Sequence, residues 1–376
     1  MRLLVTFAGG RGHLDPLLPL ADAARSLGHD VAIAGTAGFG PSLERRGYRF
    51  FPIGDPPPPG RALRMPLARL DLDKEDRDLR DGFARRLGRR YATALLAVAA
   101  DWRPDVLLRD EADFGAAVAG ERLGLPVVTV LVMASGAFVR PWVVAEALHE
   151  LRAEHGLVPD PDLGMLHSGL VLCPFPPSLR DPEFPLPSAA RSFRGVEVVH
   201  RDEHDSGERP AVYFTLGTVF SLECGDLFER VLAGLADLDV DVVATVGSDI
   251  DPSELGPQRA GIRVEQFVPQ ATVLATVDAM ISHGGSGGML GALAHGLPQV
   301  LIPLGADQPY NSARAAQLGL ARVLDAVDAT PADVAAAVHD VLTDPSYRQR
   351  AEQMRDELAT LPTATDAIPW ITALAP

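Results

Sequence analysis

His283-Gly284-Gly285-Ser286-Gly287-Gly288 lies between a short apolar run, Ala279–Ser282, and an Ala/Leu-rich stretch that Gly296 ends. Strand, glycine turn and helix in that order make an anion site. The backbone can approach a phosphate closely, and the N–H groups of the helix's first turn have no partner inside the helix. A partial positive charge of roughly half a unit collects there, and His283 adds a side-chain donor. The expected occupant is a pyrophosphate. Many parallel-sheet proteins carry such a turn for packing alone, so its neighbours matter. Asp307 and Gln308 follow the next apolar strand, residues 299–302, in what reads as a polar loop that also holds Asn311. In an open parallel sheet both loops leave the C-terminal edge, where ligands bind. One loop would hold phosphates and the other hydroxyls.

A second histidine sits near the start of the chain. Leu3-Leu-Val-Thr-Phe7 reads as a buried strand, Gly9-Gly-Arg-Gly12 as a turn, and residues 14–27 as an amphipathic helix, with His13 where the turn enters it. His13 is either a helix cap or a general base; a helix N-terminus disfavours added positive charge and so favours a neutral, proton-accepting imidazole. A base needs an orienting group. Arg109-Asp110-Glu111 closes the strand 106–108, at the same sheet edge as His13, and a carboxylate there can take the imidazole's other N–H. Asp110 and Glu111 compete for that task, and a solvated loop carboxylate is the bland alternative. The first βαβ unit lacks the spacing of a dinucleotide fingerprint and has no acid closing its second strand, which argues against NAD.

Gly12-His13-Leu14-Asp15-Pro16, Val268-Pro269-Gln270, 283–288 and 296–311 together resemble the signature of glycosyltransferase family 1, in particular the bacterial enzymes that glycosylate antibiotic and other polyketide aglycones. The resemblance covers nearly the whole chain and departs at Gly288, where that family usually has Thr or Ser. It implies an α/β protein of the GT-B architecture, two Rossmann-like domains with parallel sheets facing across a cleft. It also implies His13 as catalytic base with Asp110 at the position of its acid. For the donor it implies contacts from Thr218, the Val268 backbone, His283, the 284–288 amides, Asp307 and Gln308. The implied reaction is an inverting, metal-independent transfer from a TDP- or UDP-sugar, with no cofactor beyond that co-substrate. The other readings are a GT-B sugar-nucleotide epimerase, a cell-wall glycosyltransferase and a non-catalytic sugar-nucleotide-binding activator.

These residues need two frameworks to hold them. A length of 376 residues suits two domains, and the βαβ pattern starts afresh at Ala211-Val-Tyr-Phe-Thr215. The expected division is 1–195 for the acceptor, 196–360 for the nucleotide sugar, and 361–376 as a tail packing back on the first domain. The proline-rich stretch 173–209 reads as the crossing between them. The run 55–60 reads as a loop and residues 76–100 as a helix. Ser135, Phe138 and Trp142, in an irregular stretch after the strand 127–131, are the candidate acceptor contacts, with loop packing as the alternative.

Composition narrows the partners. Hydrophobic residues at 47% and charged residues at 22% describe an ordinary globular chain. A net charge of −16 offers no basic stripe for nucleic acid. No run reaches the ~20 apolar residues needed to span a bilayer, and Cys173 and Cys224 read as reduced thiols. The expected partners are a small-molecule sugar nucleotide and a hydrophobic aglycone, in the cytoplasm, with a homodimer allowed and no stable membrane insertion.

Overall fold

The computed structural model describes residues 1–54, 64–200, 209–217 and 222–376. The proline run at 55–60 and Thr218 lie outside the described residues. The chain divides into two compact units: Met1–Pro59, Leu72–Gly195 and Leu361–Pro376 in the first, Gly60–Asp71 and Val196–Thr360 in the second.

The first unit holds strands β1 (Arg2–Phe7), β2 (Asp30–Thr36), β3 (Arg49–Ile53), β4 (Val106–Asp110), β5 (Val127–Val130), β6 (Leu170–Cys173) and β7 (Arg191–Ser192), all parallel, in the order β3-β2-β1-β4-β5-β6-β7. The second holds β8 (Ala211–Thr215), β9 (Asp241–Thr245), β10 (Ile262–Glu265), β11 (Ala279–Ser282), β12 (Gln299–Leu301) and β13 (Ala321–Val323), ordered β10-β9-β8-β11-β12-β13. Both sheets therefore wind outward from their first strand and reverse direction between the first and the fourth, the doubly wound pattern. Their strands are near-continuous apolar runs, as helices on both faces require: Leu3, Leu4, Val5 and Phe7 in β1, and Met280 and Ile281 in β11, are fully buried. Thr6 lies beside Arg109 in the β1–β4 register, and Ser282 beside Thr215 in β8–β11.

Several elements differ from the sequence reading. The stretch 173–209 belongs to the first unit as far as Gly195, and there Phe175 and Phe193 are fully buried and β7 adds an edge strand. Its prolines sit outside the strands, so they do not prevent pairing. Residues 64–71, expected in the first domain, belong to the second unit. There Arg64 grips Glu229 through two bonds of 2.8 and 2.6 Å, and Arg69 grips Asp328 at 2.9 and 2.7 Å. The helix expected over 76–100 runs from Leu72 to Trp102 with a wider, π-helical stretch at Asp78–Leu87. The last helix, Ala364–Thr372, starts with a capping box between Thr363 and Asp366 and packs on Leu18–Ser26 within the first unit. Among the described residues no helix is long and apolar enough to cross a membrane.

Candidate active site

His13 stands on a one-turn helix, Arg11–Leu14, that leads through a tight turn at Asp15–Leu17 into Leu18–Ser26. Its ring stacks on Phe83, centroids 5.3 Å apart. Behind it Gly9, at φ +125°, leaves room that a side chain would fill; a Cβ there would come within 2.8 Å of His13 Cδ2. His13 Nδ1 lies 3.1 Å from Asp110 Oδ1. An ionised carboxylate only accepts, so this contact assigns the hydrogen to Nδ1 and the basic lone pair to Nε2.

Asp110 is fully buried at the end of β4, and its position is fixed by more than the imidazole. Ala8 N donates to its Oδ2 at 2.8 Å and Ala112 N to its Oδ1 at 2.7 Å. Glu111 faces elsewhere: its Oε1 accepts from Val132 N and Met133 N, both at 2.6 Å, and burial raises its pKa. Glu111 lies in the turn just past β4, with its carboxylate held by those two amides, so the acid that meets His13 is Asp110.

Sequence reasoning missed a third buried carboxylate. Asp113 caps the helix Phe114–Leu123 through Ala116 N at 2.9 Å and accepts from Thr6 Oγ1 at 2.5 Å. Burial first, then the neighbouring Asp110, pushes its pKa up to about 7. The fully buried Arg109 compensates this acidic group; its guanidinium donates to the carbonyls of Asp110, Glu111, Asp113, Met165 and Leu166. The cap was legible as an Asp ahead of the small-residue run 114–120; its closeness to Asp110 was not.

The three acceptor candidates separate. Ser135 and Phe138 are buried, 1% and 4% exposed. The loop is apolar enough to fold into the core. Trp142 is 68% exposed, its ring 6.3 Å from Phe184.

In the second unit the glycine turn leads from β11 into the helix Ser286–Ala294, with Gly285 as N-cap. Gly287 is exposed and Gly285 and Gly288 half-buried, so the helix's first turn reaches the surface. Gly217, at φ +74° after β8, lies under His283; a Cβ there would approach His283 Cε1 to 2.6 Å. Burial lowers the His283 pKa to about 4, so the ring is neutral at physiological pH. Val268 packs beside Val273 and Leu274 ahead of the short helix Gln270–Leu274.

Gln308 and Asn311 are helical rather than in a loop, and Asp307 sits in the turn before them. Asp307 is the N-cap residue of the helix Gln308–Gln317. Gln308 is buried, and its Oε1 accepts from Leu304 N at 2.8 Å and Gly305 N at 3.2 Å, shaping the segment that presents Asp307. Asp307 Oδ2 accepts from Ser286 Oγ and from Asn311 Nδ2, each at 2.7 Å. Phosphate-turn and hydroxyl-loop residues thus form one network. Among the described residues, no group of three or more His, Cys, Asp or Glu side chains is arranged to hold a metal ion.

Two doubly wound units, one with a carboxylate-oriented histidine and the other with a histidine-flanked helix N-terminus, define a group-transfer enzyme whose co-substrate carries phosphate. Comparison with known proteins makes the class specific. Residues 229–374 match the family described as erythromycin biosynthesis protein CIII-like, C-terminal domain. The chain is 30% identical to 4'-demethylrebeccamycin synthase of Lentzea aerocolonigenes, covering 99% of both chains. It is 28% identical to erythronolide mycarosyltransferase of Saccharopolyspora erythraea, covering 100% of this chain and 99% of the relative. Among solved structures it resembles the glycosyltransferase VinC in complex with dTDP, with a TM-score of 0.76, 25% identity, and coverage of 100% and 99%. The chain belongs to glycosyltransferase family 1, the bacterial antibiotic and natural-product glycosyltransferases of GT-B fold.

Proposed function

We propose that this glycosyltransferase moves a sugar, deoxysugars included, from a thymidine or uridine diphosphate to a hydroxyl of a hydrophobic natural-product acceptor such as a polyketide aglycone, by a single inverting displacement. The observation that carries the mechanism is the 3.1 Å contact between His13 Nδ1 and Asp110 Oδ1. With Nδ1–H held by a buried carboxylate, Nε2 takes the alcohol proton while the alcohol oxygen bonds to the anomeric carbon. The bond from that carbon to the diphosphate oxygen breaks, and its electron pair leaves with the nucleoside diphosphate. The proton ends on His13, where Asp110 stabilises the imidazolium.

The leaving group's charge is met by neutral His283 and the 284–288 amides, and the family resemblance assigns the Thr218 hydroxyl to the same task. The proposal assigns this work to these donors and not to a metal ion, and it takes no cofactor. Asp307 offers a carboxylate to sugar hydroxyls, Val268 offers backbone groups to the base, and exposed Trp142 is the aromatic available to an aglycone. The dTDP bound by VinC supports thymidine, and the names of the relatives support an antibiotic-type aglycone. The reading places the enzyme in the cytoplasm, with a homodimer to be checked by light scattering.

Purified protein is incubated with a TDP-sugar and candidate aglycones, release of TDP is followed, and the product's anomeric configuration is read by proton NMR. Acceptor-dependent release with inversion is expected. A retained configuration, or release indifferent to acceptor, would reject the mechanism.

A further inference from the structure

Asn311 is fully buried in the first turn of the helix Gln308–Gln317. Its Nδ2 donates to Gly284 O at 3.1 Å, to Ser286 Oγ at 3.0 Å and to Asp307 Oδ2 at 2.7 Å. A carbonyl and a carboxylate can only accept, so the amide nitrogen must face them. Ser286 Oγ closes the ring by donating to the same Asp307 oxygen at 2.7 Å. One buried amide, with one of its two hydrogens shared, therefore joins three groups from two segments: the carbonyl of the glycine turn, a first-turn hydroxyl and the carboxylate after β12. Gly284 leaves no room for a side chain, since a Cβ there would come within 2.4 Å of Ser312 Oγ.

We infer that Asn311 is a positioning residue that sets where the Asp307 carboxylate stands relative to the diphosphate turn, and so governs how well the sugar of the donor, as distinct from its nucleotide, is held. This rests on the donor reading given above. TDP needs the turn and the base site alone; a TDP-sugar needs Asp307 as well. A displaced Asp307 therefore penalises the sugar nucleotide more than the nucleotide. Hydrogen bonds to charged groups correspond to about 10- to 100-fold in affinity when lost.

The experiment compares Asn311→Leu, near in volume but without a donor, with the unaltered protein in calorimetric titrations with TDP and with TDP-glucose, alongside thermal melts. Affinity for TDP-glucose should fall about tenfold more than affinity for TDP, with the KM for donor rising in step. Equal losses for both ligands, or no loss for either, would overturn the inference. If the leucine variant gives no cooperative melt, Asn311→Ser replaces it; it keeps a hydroxyl donor in the same turn and should show the same selective loss in smaller measure. Should the unaltered protein bind neither ligand, the donor reading itself fails, an outcome distinct from a failure of the clamp.

Discussion

The two units use the same topological position with the parts exchanged. Each sheet reverses between its first and fourth strands, β1/β4 in one and β8/β11 in the other. In the first unit the histidine follows the first strand, and the fourth strand supplies Asp110 to orient it. In the second a glycine, Gly217, follows the first strand and the fourth leads into His283. Both histidines rest on a left-handed glycine, Gly9 or Gly217. A carboxylate partner makes the first ring a base that can hold a proton. Burial keeps the second neutral and suited to hydrogen bonding. On the proposed roles, one switch point serves proton transfer or anion binding according to which strand carries the imidazole.

Removing the first histidine tests that contrast most severely. His13→Ala should lower turnover about 10²- to 10⁴-fold while leaving TDP affinity within a few fold, measured by TDP release and calorimetry. Asp110→Asn should follow it in direction with a folded protein, whereas Glu111→Gln should leave turnover intact and lower the melting temperature. Near-normal turnover in His13→Ala would dissolve the assignment of the base.

His283→Ala should do the reverse in kind. TDP affinity is expected to drop about tenfold, the scale of one hydrogen bond to a charged group, with any change in turnover traceable to binding. If TDP affinity were unchanged, the second histidine would be packing alone.

The pH response of stability should have opposite sign in the two units. His283 has a folded pKa of about 4, below its usual 6.5, so its contribution is present above pH 6.5 and is lost as pH falls through 4. Asp113 has a folded pKa of about 7, above its usual 3.8, so its contribution is present below pH 3.8 and is lost as pH rises through 7. Melting curves of His283→Gln should therefore lose less stability on acidification than the unaltered protein. Those of Asp113→Asn, which keeps the helix cap, should lose less between pH 4 and 8. Parallel curves would show that neither group titrates as its surroundings imply.

The smallest effect is expected at Gly288. A Cβ there would meet Met280 Cε at 3.6 Å and Gln270 Nε2 at 3.7 Å, ordinary contacts. Gly288→Ser should stabilise the fold by about 0.5 kcal/mol through helix propensity and restore the hydroxyl usual in the family, tightening TDP a few fold. Weaker TDP binding would mean the glycine is needed for backbone approach.

Periodicity and punctuation carry the architecture: apolar runs such as 3–7 and 279–282 can only be buried strands, and glycine turns after them point toward the sheet edge that binds ligands. Local chemistry likewise placed His13 and the 283–288 turn, because a strand, a turn and a helix are contiguous in sequence. What folding alone decided are the relations between distant segments. Asp110 rather than Glu111 meets His13 because the amides of Ala8 and Ala112 hold the Asp110 carboxylate at the strand end while those of Val132 and Met133 hold Glu111. Ser135 and Phe138 are buried, Arg64 and Arg69 dock on Glu229 and Asp328, and Asn311 joins Gly284 to Asp307, because each contact spans loops whose separation no local pattern encodes. Asp113 illustrates the point in one residue: its cap is read from its neighbours in sequence, and its proton affinity from Asp110 and burial, which exist only once the chain has packed.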